Sequence, residues 1–292
     1  KAIGEVIDLV KDSLRAYECQ VLVVDGHSTD STVELASGRG AAVIYQENAG
    51  YGDALLSGFR YAKGRLSADA IAMLDGDGTY DPKDLPRILQ PILEGKADFV
   101  VGNRLDGLER GAMTFTNRVG NWLLSWVTSG ILKIDVGDTQ CGFRAFRSEL
   151  VDAMDLKSGG MPFATETLVE AKQAGAKIVE VPIVYHHRVG ETKLHPLRDG
   201  LKIFGVFLRL TRDYEPLLFF GGFGLILFIG GLLFGLRVAV EWLTTGQITH
   251  LASVILSALL VMSSIQLFSL GLVADMIKGA KRKVRSEMRK DK

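Results

Sequence analysis

AIAMLDGDGTYDP, residues 70–82, is the stretch on which the fold turns. A short apolar run stops abruptly at Asp75-Gly76-Asp77, and Gly-Thr-Tyr-Asp-Pro follows. An apolar run of this length, closed by turn residues, predicts a buried strand. Two carboxylates one residue apart at its carboxyl end then lie at the lip of an open sheet, where α/β proteins bind ligands. They are hard oxygen donors, suited to Mg²⁺ or Mn²⁺ bridging a diphosphate. Taken alone, the same residues also suit a solvated Asp-Gly turn.

Outward from this stretch, strand-like and helix-like runs alternate. QVLVVD (20–25) ends in Asp25, and the Ser-Thr-Asp-Ser turn beyond it is placed to cap a helix through 31–37. AAVIYQ (41–46) precedes the glycine-rich ENAGYGD (47–53) and a helix reaching Lys63. A helix from Pro82 to Leu93, the strand ADFVVG (97–102) and a late strand KIVEVPIVY (177–185) follow, the last leading into the polar loop HHRVGETK. This alternation predicts an α/β domain with a mostly parallel sheet and right-handed crossovers. Asp25 and Asp75-Asp77 then face one crevice. Residues 3–14 already show helical spacing (Ile3, Val6, Ile7, Val10, Leu14) and Lys1 is not an initiator Met. The expectation is a chain truncated or incompletely represented at its N-terminus, lacking a first strand.

The C-terminal third differs in kind. Pro216 to Leu236 and Leu251 to Ala274 are uncharged apolar runs of 21 and 24 residues, each long enough to cross a hydrocarbon core of roughly 30 Å as a helix. Tyr214 and Trp242 flank the first run as interfacial aromatics do. Lys and Arg together equal Asp and Glu at 34 each, yet Ile277 to Lys292 holds eight Lys/Arg against Glu287 and Asp291. Arg209 and Arg212 precede the first run, whereas the loop between the runs has only Arg237 and Glu241. The positive-inside rule then places the N-terminal region and the basic tail in the cytoplasm, at the cell membrane. Residues 117–133, with Trp122 and Trp126, read either as a core helix or as one lying in the membrane interface, and 197–212 have similar character. Cys19 and Cys141 have no metal-ligand spacing and suggest no disulfide framework.

VVDGHSTDST (23–32), the N-x-G-x-G of 48–52, DGDGTYDP (75–82), VGNR (101–104), DTQCGFRAF (138–146), the helix around Glu166 and EVPIVYHHRVGETK (180–193) occur in that order. In this order they resemble the family-2 glycosyltransferases of the GT-A (Rossmann-like) fold. More narrowly, the chain resembles the polyprenyl-phosphate (dolichyl-phosphate) sugar synthases, including archaeal dolichol-phosphate hexose or N-acetylglucosamine transferases. The likeness covers roughly residues 1–200. The order is far more specific than any one motif. The chain departs from the pattern in lacking the opening strand with its Asn-Glu loop, in reading Asp25-Gly26-His27-Ser28 where many relatives have Asp-Asp-Gly-Ser, and in placing Thr79 where a Gln is frequent. The Gln-x-x-Arg-Trp signature of processive synthases is missing, which argues against a polymerase.

The resemblance implies an inverting transfer of one sugar from UDP-glucose, UDP-GlcNAc or GDP-mannose to dolichyl or polyprenyl phosphate. It implies Mg²⁺ or Mn²⁺ on Asp75 and Asp77 with Thr79 assisting, and donor contacts from Asp25, Asn48, Gly50, Asp75, Gly76, Arg104 and Glu166. Asp77, Asp138, Arg118 and Arg188 would carry the chemistry, and Arg118, Arg144, Arg188 and Lys193 would hold the acceptor phosphate. The partners implied are the nucleotide-sugar, the lipid phosphate and membrane lipid, with no nucleic acid and with room for a homo-oligomer. The expected organisation is a catalytic domain over 1–196, a juxtamembrane amphipathic helix over 197–214, two transmembrane helices over 215–275 and a basic cytoplasmic tail over 276–292. Two rivals stand beside it: a transferase acting on another lipid acceptor, and a non-catalytic membrane-anchored nucleotide-sugar-binding protein.

Overall fold

The structure, a computed structural model, describes residues 2–48, 50–105, 136–156, 163–186 and 211–290, together with the single positions 122, 125, 205, 208 and 209. The chain divides into two compact units, Lys1–Ile203 and Phe204–Lys292.

The first unit is an α/β domain. Helix α1 (Ala2–Ser13) forms where the 3–14 spacing predicts it, burying Val6, Ile7 and Val10. Ile7 packs with Ala36 and Ala41, and Ile3, Val21, Val23 and Val43 close around them. Strands β1 (Leu22–Asp25) and β2 (Ala42–Tyr45) pair in parallel, with Asp25 opposite Tyr45. Between them runs α2 (Thr32–Gly38). Its first turn is held by Asp30, whose Oδ1 accepts from the Thr32 N–H and hydroxyl, whereas Ser31 at the cap position makes no side-chain cap. Helix α3 (Tyr51–Gly64) then precedes β3 (Ala70–Met73).

A second sheet has the order β3, β5, β4, β6, where β4 is Phe99–Asn103, β5 is Arg144–Arg147 and β6 is Ile178–Pro182. Strands β4 and β6 are parallel, while β5 runs antiparallel between β3 and β4. The sheet is therefore mixed, and among the described residues no ladder joins it to the β1–β2 pair. Every residue of β4 is buried, which is why FVVG reads as a continuous apolar run rather than an alternating one. Phe99 stacks on Phe146 of β5 at 5.3 Å, and Phe59 of α3 meets the same ring edge-on at 4.9 Å. The core is thus aromatic and sits beside the first residues of β3 and β4, toward their amino ends. Asp81 accepts the Lys83 N–H to start a 3₁₀ turn (Pro82–Asp84) that leads into α4 (Leu85–Leu93). The short α5 (Leu150–Ala153) and α6 (Phe163–Gln173) complete the unit.

The second unit is a helical hairpin. Helix α7 (Pro216–Thr245) and helix α8 (Leu251–Lys290) are long and apolar enough to cross a membrane. Their large apolar side chains are mostly uncovered, Leu233 and Leu243 among them, unlike those of a core helix in a soluble domain. The buried residues Gly224, Gly231 and Val238 recur every seven positions along α7. A Cβ on Gly231 would meet Val261 Cγ2 at 2.9 Å, so glycine lets the backbones approach. There the Ser257 hydroxyl donates to the Gly231 carbonyl at 2.7 Å. Helix α8 does not stop where the apolar run ends, and continues to Lys290. Lys278 pairs with Glu215, just before α7, at 3.0 Å.

Candidate active site

The Asp-Gly-Asp turn follows directly on β3. Gly78 takes a φ of 80°, a left-handed conformation that favours glycine. Asp77 Oδ1 accepts the Thr79 N–H at 3.1 Å and the Thr79 hydroxyl at 2.7 Å. Thr79 is buried, and its carbonyl accepts the His186 N–H. Its hydroxyl proton thus supports Asp77 and ties Thr79 to the carboxylate expected to hold the metal. On the other side of the turn, α1 closes in, since a Cβ on Gly76 would lie 2.9 Å from Ile3 Cδ1.

Behind the carboxylates lies a phenol cluster that sequence reasoning missed. The Gly142 N–H donates to the Tyr80 hydroxyl at 2.8 Å. A Cβ on Gly142 would sit 3.1 Å from Tyr80 Oη, 3.3 Å from Asp75 Oδ2 and 3.4 Å from Tyr51 Oη. Burial, aided by the Asp75 carboxylate, pushes the Tyr51 phenol up to about 12. Burial likewise raises Tyr80 well above its ordinary range, and takes the Cys141 thiol up to about 12. These groups stay protonated at neutral pH, and the two phenol oxygens gather with the Asp75 carboxylate around Gly142. Tyr51 and Tyr80 both sat inside quoted motifs, as the variable residues of N-x-G-x-G and DGDGTYDP.

Arg104, at the end of β4, grips Asp138 with two parallel bonds, Nε to Oδ2 at 2.7 Å and Nη2 to Oδ1 at 2.8 Å. The Asp138 carboxylate is fully buried, and the Arg104 guanidinium also lies 5.4 Å over the Tyr185 ring. Burial would lower the Arg104 pKa, but the hydrogen bonds and charge of Asp138 override it and raise it. Glu180 on β6 accepts the N–H groups of Gly137 and Asp138 at 3.1 and 2.8 Å, fixing the loop that carries the carboxylate. Asp138, expected to carry chemistry, is thus held in the interior with both carboxylate oxygens on Arg104.

Arg144 is corrected outright. It is 1% exposed, and its guanidinium donates to the carbonyls of Cys141, Ala164 and Thr139 and to the Thr167 hydroxyl. Burial pulls its pKa down. So enclosed, it staples the 139–144 loop to α6 and does not reach an acceptor phosphate.

The remaining candidates divide by their surroundings. Asp25 is buried at the end of β1, with Oδ2 accepting the Ser28 N–H at 2.8 Å. Asn48 donates its N–H and its side-chain amide to Asp53, holding that carboxyl below its usual range and closing the loop before α3. Gly50 precedes α3 with a φ of 136°, open to glycine and strained for other residues. Glu166 is buried in the first turn of α6. Trp122 is exposed. Arg118, Trp126, Arg188 and Lys193 lie outside the described residues.

Two carboxylates one residue apart suit a hard divalent ion. Among the described residues no third His, Cys, Asp or Glu completes a closed ligand set. An open pair of this kind fits Mg²⁺ or Mn²⁺, which takes substrate phosphates and water as its other ligands.

Residues 1–154 match the model of glycosyl transferase family 2. The chain belongs to that family. It is 36% identical over 274 residues to glycosyltransferase AglJ of Haloferax volcanii, covering 93% of this chain and 89% of that one. It is also 36% identical over 208 residues to a dolichyl-phosphate hexose transferase of the same organism, covering 70% of this chain and 85% of the relative. Among solved structures, glucosyl-3-phosphoglycerate synthase from Mycobacterium tuberculosis, in complex with Mn²⁺, UDP and phosphoglyceric acid, superposes with a TM-score of 0.57. That match is 22% identical, covers 72% of each chain and carries the GT-A fold alone. In this family 2 glycosyltransferase, then, the Asp-Gly-Asp turn stands at the carboxyl lip of β3 with a wall of protonated phenols behind it.

Proposed function

We propose that this glycosyltransferase moves one hexose or N-acetylhexosamine, with inversion, from a UDP- or GDP-sugar to polyprenyl (dolichyl) phosphate. The observation that carries the reading is the Asp75-Gly76-Asp77 turn at the lip of β3, in a chain that also bears two helices apolar enough to cross a membrane. The dolichyl-phosphate hexose transferase among its relatives supports the acceptor class. Asp75 and Asp77 would hold Mg²⁺ or Mn²⁺, which when bound supplies Lewis acidity for the departing diphosphate. Asp25 would accept hydrogen bonds from the donor base, with Asn48, Gly50, Gly76 and Glu166 lining the donor.

The acceptor explains why the site needs no strong base. A phosphate monoester has its second pKa near about 6, so it is already anionic at neutral pH. One of its oxygens forms the bond to the anomeric carbon as the bond to the diphosphate breaks, and the electron pair leaves with the diphosphate. The protein has only to hold the anion, and arginines do this through two parallel bonds. Arg118 and Arg188, with Lys193 nearby, take that role. The organisation that goes with this reading is a catalytic unit over 1–196, a juxtamembrane segment over 197–214, the spans over 215–275 and the tail over 276–292. The catalytic unit and the tail lie in the cytoplasm.

The test incubates the purified full chain with polyprenyl phosphate, Mg²⁺ or Mn²⁺, and UDP-glucose, UDP-GlcNAc or GDP-mannose in turn. One donor should give a sugar-phosphate lipid, and EDTA should stop it. No lipid-linked product from any donor would contradict the proposal.

A further inference from the structure

The ends of β1 and β2 carry a feature that the catalytic account does not use. Asp25 and Tyr45 are register partners at the last rung of this parallel pair. Two residues past Asp25, His27 takes a φ of 63°, a left-handed conformation that costs a non-glycine residue free energy. There its imidazole lies flat against the Tyr45 ring, with centroids 5.2 Å apart and planes 8° from parallel. The stack is not a core contact. Tyr45 is 53% exposed, and His27 is exposed too. Gly26 between them brings the backbone close to Gln46, whose amide nitrogen would be 3.5 Å from a Cβ at that position. The turn after β1 and the end of β2 thus present a buried carboxylate and two stacked, uncovered rings at the carboxyl ends of parallel strands.

We infer that the His27–Tyr45 stack is the ledge on which the planar base of a nucleoside diphosphate rests, adding a third ring beside Asp25. The inference rests on the nucleotide-sugar reading given above. Stacking on an aromatic face contributes affinity to any base, because every base has a π-face. A ledge of this kind therefore favours a base over a bare diphosphate without choosing between uracil and guanine. That choice falls to edge contacts such as those of Asp25.

Calorimetric titration of the full-length protein in detergent with Mg²⁺, using UDP, GDP and inorganic pyrophosphate, tests this. His27→Gly removes the ring at a φ that glycine adopts freely, so the turn should still form. His27→Gly and Tyr45→Leu should each weaken the favoured nucleotide about tenfold, with pyrophosphate binding unchanged. His27→Phe, which keeps a ring, should bind nearly as the wild type does. Unchanged nucleotide affinity in both ring-deleted variants, or an equal loss for pyrophosphate, would overturn the ledge. A wild-type protein that binds pyrophosphate but neither nucleotide would instead overturn the nucleotide-sugar reading beneath it.

Discussion

Arg104 and Asp138 form a two-pronged ion pair at 2.7 and 2.8 Å in the interior of the catalytic unit, 34 residues apart in sequence. Removing one partner of such a pair leaves a buried charge uncompensated, at a cost of about 3–5 kcal/mol. Asp138→Ala should therefore lower stability by about that amount in chemical denaturation, and Arg104→Ala similarly. The double variant should lose less than the sum of the two. Strict additivity would show that the pair is not coupled.

Asp77→Asn makes a cleaner test of the metal site. The asparagine carbonyl can still accept from Thr79, so the turn should survive and the melting temperature should stay close to that of the wild type. Divalent-dependent transfer should be lost. Full activity in this variant, or in wild type treated with EDTA, would remove Asp77 from the metal site.

Alkaline pH probes the enclosed cluster. Burial raises the Cys141 thiol from 9.0 to about 12 and the Tyr51 phenol from 10.0 to about 12. Above pH 9 the unfolded chain loses protons that the folded chain keeps. These groups therefore contribute stability that is complete below pH 9 and falls as pH rises toward 12. Cys141→Ala should flatten the first part of that decline. An unchanged slope between pH 9 and 10 would mean that the thiol is not the source.

Much of this was legible in the sequence, for local reasons. AIAML stops at two aspartates, and that break between apolar run and turn is a property of neighbouring residues. The hairpin of α7 and α8 follows from hydropathy in the same way. What hid was non-local. The antiparallel insertion of β5 between β3 and β4 depends on pairings dozens of residues apart, and RAFR shows no sign of its partners. Arg144 looks on paper like any phosphate-binding arginine, and only the folded loop shows its guanidinium taken up by carbonyls and a hydroxyl. Tyr51 and Tyr80 were spacers in motifs until Gly142 brought their hydroxyls toward Asp75. Helix α8 outruns its apolar segment because the basic residues after it are themselves good helix formers.

The orientation rests on Lys/Arg asymmetry and has a direct probe. In a Cys19→Ser background, a cysteine at Gln247 should react with a membrane-impermeant maleimide on intact cells, and a cysteine at Lys292 should not. Labelling at Lys292 alone would reverse the topology.

The central claim is that the nucleophile is a lipid phosphate held by arginines. Its most direct measurement compares polyprenyl phosphate with the free polyprenol as acceptor, in wild type and in Arg118→Ala and Arg188→Ala. A hydrogen-bonded contact to a charged group is worth about 1.5–3 kcal/mol, so each variant should lose roughly ten- to a hundredfold in kcat/KM for the phosphate. Lysine should rescue poorly, because it keeps the charge but loses the fork. The account predicts that wild type glycosylates the phosphate and leaves the alcohol untouched; equal use of the alcohol would contradict it.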